Sequence, residues 1–158
     1  MSNEIYFRVG VGLLIVNAQG NVLAAERADH PAGWQAPQGG LQPGEEPLEA
    51  ARRELVEETG IEWDEVTVLA EHAEWLGYEL PEEARSEKTG RGQVHKWFLL
   101  RFLGDEADVD LASATTPEFG RWRWVAMTDL VEHAWHVRRP VYRRLAESWS
   151  AILGTTAG

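Results

Sequence analysis

Gly39-Gly40-Leu41-Gln42-Pro43-Gly44-Glu45-Glu46-Pro47-Leu48-Glu49-Ala50-Ala51-Arg52-Arg53-Glu54-Leu55-Val56-Glu57-Glu58-Thr59-Gly60-Ile61 is the stretch that decides how the rest of the chain is read. Residues 47–59 hold no helix breaker after Pro47, which suits a first helical position. Gly60 follows where a helix commonly leaves through a left-handed glycine. The pattern predicts a helix over 47–59. Within it Glu54, Glu57 and Glu58 are spaced i, i+3, i+4 and share one face, with Glu54 and Glu58 about 6 Å apart along the axis. Leu48, Ala51 and Leu55 sit roughly 100° round the same wheel and form the side expected to pack on a sheet. No lysine in the helix offsets the carboxylates, and a divalent cation would relieve their repulsion. An ordinary solvated acidic face remains the plainer reading of the same three residues. The glycines ahead of the helix let backbone come close to a charged ligand or to the helix itself. Across that junction Glu45 can pair with Arg53 and tie the loop down.

Working outward, 158 residues fit one domain large enough to bury a core, and the 44% apolar content with eight tryptophans argues for a folded globule. There is no cysteine, so disulfide frameworks and thiolate metal sites are excluded. The opening MSNEIYFRVG shows neither a secretory signal nor a membrane span, and the expectation is a cytoplasmic protein with no membrane partner. The net charge of −11 is local: residues 45–87 carry 15 acids against Arg52, Arg53 and Arg85, a net of −12, and the remainder is +1. So dense a block of carboxylates repels nucleic acid unless cations intervene. A basic recognition helix and zinc-ligand spacing are both missing, and DNA is not an expected partner.

Residues 9–16 are an apolar run ended by the turn-like Asn17-Ala18-Gln19-Gly20, and 21–25 resume it, which predicts two strands and a tight connection. Residues 29–47, rich in Gly and Pro, read as loop or short strand. Strands are predicted at 66–70, 94–103 and 122–125, with a polar loop around 81–92. Pro140 suits a helix start, and Val141, Leu145, Trp149 and Ile152 repeat at helical spacing. With no repeat or linker, the economical reading is one mixed α/β domain spanning 1–158.

Gly39, five residues, Glu45, seven residues, then Arg53-Glu54-Leu55-Val56-Glu57-Glu58-Thr59-Gly60-Ile61 resembles the signature of the Nudix hydrolase family at every specified position. That resemblance implies an α/β/α sandwich around a mixed β-sheet, with 39–61 as a loop-helix-loop catalytic motif. It makes Glu54, Glu57 and Glu58 metal ligands for Mg2+, with Mn2+ an alternative, and gives the Gly39 backbone a contact to metal or phosphate. Glu45 and Arg53 become structural partners. The implied activity is hydrolysis of a pyrophosphate bond in a nucleotide by a water whose proton passes to Glu57 or Glu118.

The likeness runs beyond the signature. Trp34-Gln35-Ala36-Pro37-Gln38-Gly39-Gly40, Gly92-Gln93-Val94-His95-Lys96-Trp97-Phe98-Leu99, Thr116-Pro117-Glu118-Phe119 with Trp122-Arg123-Trp124-Val125, and Pro140-Val141-Tyr142 resemble two groups within the family. These are the bacterial RNA pyrophosphohydrolases and the diadenosine tetraphosphate hydrolases of plants and bacteria. By that resemblance Glu118 is a further metal ligand or the base, and Arg8, Gln38, Tyr78 and Lys96 are candidates for contact with phosphate or nucleotide. Composition alone reads Tyr78 and Trp97 as core aromatics, and Arg8 and Lys96 as surface charges.

Two features depart from the pattern. His136-Val137-Arg138-Arg139 lacks the aromatic that the relatives often place there, and residues 79–83 are acidic where the RNA-acting members tend to be basic. Arg138, Arg139, Arg143 and Arg144 form either a basic patch or a solvated helix surface. Together with the Pro31-Ala32-Gly33-Trp34 entry, the acidic loop tips the expected substrate slightly towards a dinucleoside polyphosphate over an RNA 5′ end. A Nudix enzyme acting on ADP-ribose or nucleoside triphosphates, and a non-catalytic nucleotide-binding module, are the alternatives.

Overall fold

The computed structural model describes residues 6–27, 33–87, 89–110 and 119–153. Strand β1 (Phe7–Val16) is buried without interruption from Gly10 to Val16, which is how a strand covered on both faces reads in sequence. Asn17 closes the turn that follows by accepting the Gln19 and Asn21 amides on its side-chain oxygen at 3.0 Å each. The chain then returns as β2 (Val22–Arg27), antiparallel to β1 from Val16↔Val22.

Short strands β3 (Trp34–Gln35) and β4 (Gln38–Gly40) lead into helix α1 (Pro47–Thr59), after which β5 (Val66–Glu71), β6 (Leu76–Glu79) and β7 (Gly92–Phe102) complete one half of the sheet. Strand β8 (Phe119–Val125) and helices α2 (Met127–His133), α3 (Arg139–Ser148) and α4 (Ser150–Leu153) finish the described chain. The sheet is mixed. Its order is β3-β2-β1-β7-β5, with β4 also on β1, β6 on β7 and β8 on β2. β1 and β7 run parallel over the full register from Phe7↔Gly92 to Val16↔Arg101, and the other pairings are antiparallel.

Alternate residues of the central pair feed two cores. Leu14, Val16, Trp97 and Leu99 pack with Met127, Leu130, Tyr142 and Leu145 of α2 and α3. Val11, Leu13, Ile15, Phe98 and Leu100 pack with Ala50, Ala51 and Leu55 of α1 and with Ile61. Helices thus cover both faces, as an α/β/α sandwich requires. No helix among the described residues is long and apolar enough to cross a membrane.

Helix α1 has the expected bounds. Its start is fixed by Pro47 and by Glu49, whose carboxylate accepts the Glu46 amide at 3.0 Å. Its end is fixed by Gly60 at φ 75°. Its buried side differs from the expected one. Leu48 is 46% exposed, and the stripe against the sheet consists of Ala50, Ala51, Glu54, Leu55 and Thr59. At about 100° per residue Glu54 lies between Ala50 and Ala51 on the wheel, so one carboxylate belongs to the packing side rather than beside it. The stripe begins only at Ala50, and the first turn overhangs the sheet. Two further elements lie outside the sequence expectation, the strand β6 and the short helix α2. The final helix is interrupted at Trp149, which separates α3 from α4.

Candidate active site on the signature helix

The carboxylate of Glu54 occupies the space in front of Gly39. A Cβ built on Gly39 would fall 2.0 Å from Glu54 Cδ, so only glycine admits this contact. Gly39 is presented there by β4, paired to β1 as Val11↔Gly39. β1 in turn needs its own glycines. A Cβ on Gly10 would lie 2.2 Å from the Gly39 carbonyl oxygen, and one on Gly12 would lie 2.4 Å from the Trp97 ring. Glu54 is only 5% exposed, and burial raises its pKa, partly offset by the bond from Arg53.

The carboxylates are not left to repel one another as the sequence suggested, because Arg53 stands among them. Its Nε and Nη2 form a fork on Glu45, each donating over 2.9 Å, and Nη2 also donates to the Gly40 carbonyl at 2.8 Å. Nη1 donates to Glu54 at 2.6 Å and to Glu57 at 3.2 Å. Glu45 further accepts the Gln42 amide at 3.0 Å, which closes the 42–45 turn. The Arg53 fork, helped by that amide, holds the Glu45 carboxyl down at about 2. The pair therefore clips the loop to the helix.

Three carboxylates, Glu45, Glu54 and Glu57, share one guanidinium, and Glu54, Glu57 and Glu58 lie along one helix face running from the buried Glu54 to the exposed Glu57. An excess of hard oxygen donors at the end of a glycine backbone fits a small divalent cation. Among the described residues a second acidic group, Asp129, Glu132 and His133, brings its ligand atoms within 4.8 Å of one another. It is exposed on α2 and separate from the signature. Glu118 lies outside the described residues, as do Pro31, Ala32, Thr116 and Pro117 of the motifs.

Of the four candidate substrate contacts, three come together. Arg8 lies opposite Gln93 in the sheet with its guanidinium along Gly40, where a Cβ would sit 2.7 Å from Nη2. Gln38 donates from Nε2 to Gln93 Oε1 at 2.9 Å, and the Tyr78 hydroxyl donates to the same oxygen at 2.7 Å. Lys96 is engaged elsewhere. Its ammonium donates to the Ala73 carbonyl at 3.2 Å and stands 3.6 Å from Glu71, and neither contact involves the Arg8–Gln38–Tyr78 group.

The sequence reading missed Gln35, Gln93, His95 and Arg138. Gln35, Gln93 and His95 all lie within the stretches that resemble the family, and only packing sets them apart from their neighbours there. Arg138 looked like a surface charge, yet it is 9% exposed, donating to Tyr78 OH at 3.1 Å and to Gln35 Oε1 at 2.9 Å. Its companions scatter: Arg139 donates to the Ala134 carbonyl, Arg143 is exposed and Arg144 pairs with Glu74, so no basic patch forms. His95 is buried beside Tyr78, and burial together with the Arg138 and Arg8 charges holds its pKa down at about 3.

A loop-helix-loop with a glycine-backed carboxylate, set in an α/β/α sandwich, defines a class of metal-assisted hydrolases, and residues 6–145 match the NUDIX domain. The chain belongs to the Nudix family. It is 47% identical over 142 residues, 88% of this chain and 84% of the relative, to a protein of Rhodospirillum rubrum named RNA pyrophosphohydrolase. A protein of the same name from Wolbachia pipientis is 41% identical, covering 97% of this chain and 95% of the relative. Among solved structures, an Ap4A hydrolase of C. elegans in a binary complex superposes with a TM-score of 0.68 at 24% identity, over 91% of this chain and 98% of that one, which supports the fold. The chain is thus a hydrolase of pyrophosphate bonds in nucleotides, of a family that works with a divalent cation.

Proposed function

We propose that residues 1–158 form a single Nudix domain that removes pyrophosphate from the 5′-triphosphate end of RNA, with Mg2+ as cofactor and Mn2+ able to replace it. The observation that carries the chemistry is the Glu54 carboxylate buried over Gly39, with Glu57 on the same helix face open to solvent. The substrate is supported by relatives at 47% and 41% identity that bear the RNA pyrophosphohydrolase name over most of their length. They move the balance away from the dinucleotide that the acidic loop favoured.

In this reading Glu54, Glu57 and Glu58 would hold the cation, which would supply charge neutralisation for the triphosphate and activation of the attacking water. Glu57, the exposed carboxylate, or Glu118 takes the proton of the attacking water. Arg53 keeps the Gly40 carbonyl and Glu45 in register, so the glycine backbone faces the phosphates without rearrangement. Arg8, beside Gly40, neutralises a phosphate oxygen, and Gln38 and Tyr78 border the same approach. Water adds to phosphorus, the P–O bond to the departing pyrophosphate breaks, and a 5′-monophosphate remains on the RNA. In this reading the protein would meet its RNA substrate in the cytoplasm.

A second reading, asymmetric cleavage of a dinucleoside polyphosphate, is favoured by the exposed Glu79, Glu82 and Glu83, which would repel an RNA backbone. Parallel assays with Mg2+ on 5′-triphosphorylated RNA and on diadenosine tetraphosphate, each repeated with a chelator, separate the two. Faster pyrophosphate release from RNA supports the proposal. ATP and AMP from the dinucleotide with little RNA product would replace it with the second reading. No turnover of either would direct attention to ADP-ribose, nucleoside triphosphates or a non-catalytic role.

A further inference from the structure

Arg138 stands one residue ahead of α3, and its guanidinium is buried. Among the described residues no carboxylate pairs with it. The guanidinium instead meets two neutral oxygens, Tyr78 OH and Gln35 Oε1, and the ring faces of Tyr78 and Trp135 at 5.6 and 5.4 Å. Burying a charge against neutral groups is costly, and an apolar side chain of similar length would serve packing alone as well or better.

Both acceptors lead to one short segment. Gln35 is its first residue. Tyr78 reaches its other end, because its hydroxyl and the Gln38 amide converge on Gln93 Oε1. Between them the Ala36 amide donates to the Tyr142 hydroxyl of α3 at 3.0 Å, and the Pro37 carbonyl accepts the Leu13 amide at 2.9 Å. The next residues are Gly39, which admits the Glu54 carboxylate, and Gly40, whose carbonyl Arg53 holds. We infer that Arg138 is a positioning residue that clamps residues 35–38 at both ends, directly through Gln35 and by the Tyr78–Gln93 relay to Gln38, and so sets Gly39 against the catalytic helix. The two hydrogen bonds leave the planar guanidinium from Nε and Nη1 in different directions, a geometry that the ammonium of a lysine reproduces only in part. The inference rests on the site being the pyrophosphate hydrolase proposed above.

The test compares R138M, R138K, Y78F and the R138M/Y78F pair with the parent, at a temperature where circular dichroism shows all of them folded. On 5′-triphosphorylated RNA with Mg2+, R138M and Y78F should each lower kcat about tenfold and leave KM within about twofold, as a small misplacement of catalytic groups does. The pair should be no worse than the poorer single variant, since both break one chain of contacts. R138K should recover part of kcat. Independently of turnover, the backbone amide of Gly39 and the side-chain amide of Gln38 should shift and lose order in nitrogen-15 spectra of R138M and Y78F. Unchanged kcat in both variants would overturn the clamp. So would a loss carried by KM and fully restored by lysine, which would mark a charge acting directly on substrate. If the parent turns over neither RNA nor dinucleotide, the functional reading fails, and an undisturbed Gly39 amide in R138M would still overturn the clamp by itself.

Discussion

At the scale of single residues the site is a contact between one carboxylate and a missing side chain. Gly39→Ala places a methyl 2.0 Å from Glu54 Cδ, so either the helix or β4 must shift. We expect turnover to fall by at least about tenfold and stability by about 1–3 kcal/mol, the cost of forcing atoms into a packed site. A thermal melt and a kinetic assay of the same sample check both; wild-type values would mean that Glu54 has another rotamer available. Glu57→Gln, by contrast, removes an exposed charge and should leave the melt unchanged while lowering kcat by about two orders of magnitude or more. Parent-like turnover in that variant would remove Glu57 from the mechanism. Arg53 shows why residue types alone were insufficient. Its spacing from Glu45 made that pairing legible, whereas its bonds to Glu54, Glu57 and the Gly40 carbonyl depend on where the loop lies in space.

At the scale of elements the signature helix was readable because its signals are local. A run of thirteen residues that opens on a proline, holds no breaker after it and is closed by a glycine falls within one window. The Gly60 cap at φ 75° is expected to lose about 1 kcal/mol on Gly60→Ala, measured by urea denaturation, since alanine must adopt a left-handed conformation. An unchanged midpoint would show that the helix end relaxes freely. Strand β6 and helix α2 escaped for the opposite reason. β6 is four residues long, carries Gly77 in its middle, and exists because β7 offers a free edge from Gly92 to His95. α2 has seven residues and Ala126 at its cap, where no side chain bonds the first amides. The misplaced buried stripe of α1 belongs here too. Hydrophobicity ranked Leu48 above Glu54 for burial, and the sheet opposite supplied glycine instead of a surface for leucine.

At the scale of the whole molecule the carboxylate site is separable from the two cores. The two apolar clusters that close the sandwich include none of Glu54, Glu57 and Glu58, so chelation should abolish turnover without changing the circular dichroism spectrum. Added Mg2+ should raise the melting temperature by mass action, as carboxylate repulsion is relieved. A chelated protein that unfolded would show the cation to be structural. Stability should also depend on pH through His95. Its folded pKa of about 3 lies below the ordinary 6.5, so its contribution is complete above pH 6.5 and is lost progressively as pH falls towards 3. The parent should therefore lose stability between pH 7 and pH 5, above the range where most carboxylates titrate, and His95→Gln should lose less. Equal slopes in the two proteins would mean that the imidazole is protonated alike in folded and unfolded chains.

The sequence by itself determined the family, the sandwich and the signature helix with its row of carboxylates. The helix and the shared face of its carboxylates rest on spacing, where 3.6 residues per turn converts sequence distance directly into position, whereas the family and the sandwich came from the resemblance carried by the 39–61 signature. Only the tertiary structure decided that Glu54 is buried over Gly39, that Lys96 is drawn away to Ala73 and Glu71, and that Arg138 lies inside the protein and reaches Gln35 and Tyr78. Each of these contacts joins residues far apart in the chain. Whether an arginine is a solvated charge or a buried clamp is set by what packs over it, and periodicity along one element holds no record of its neighbour.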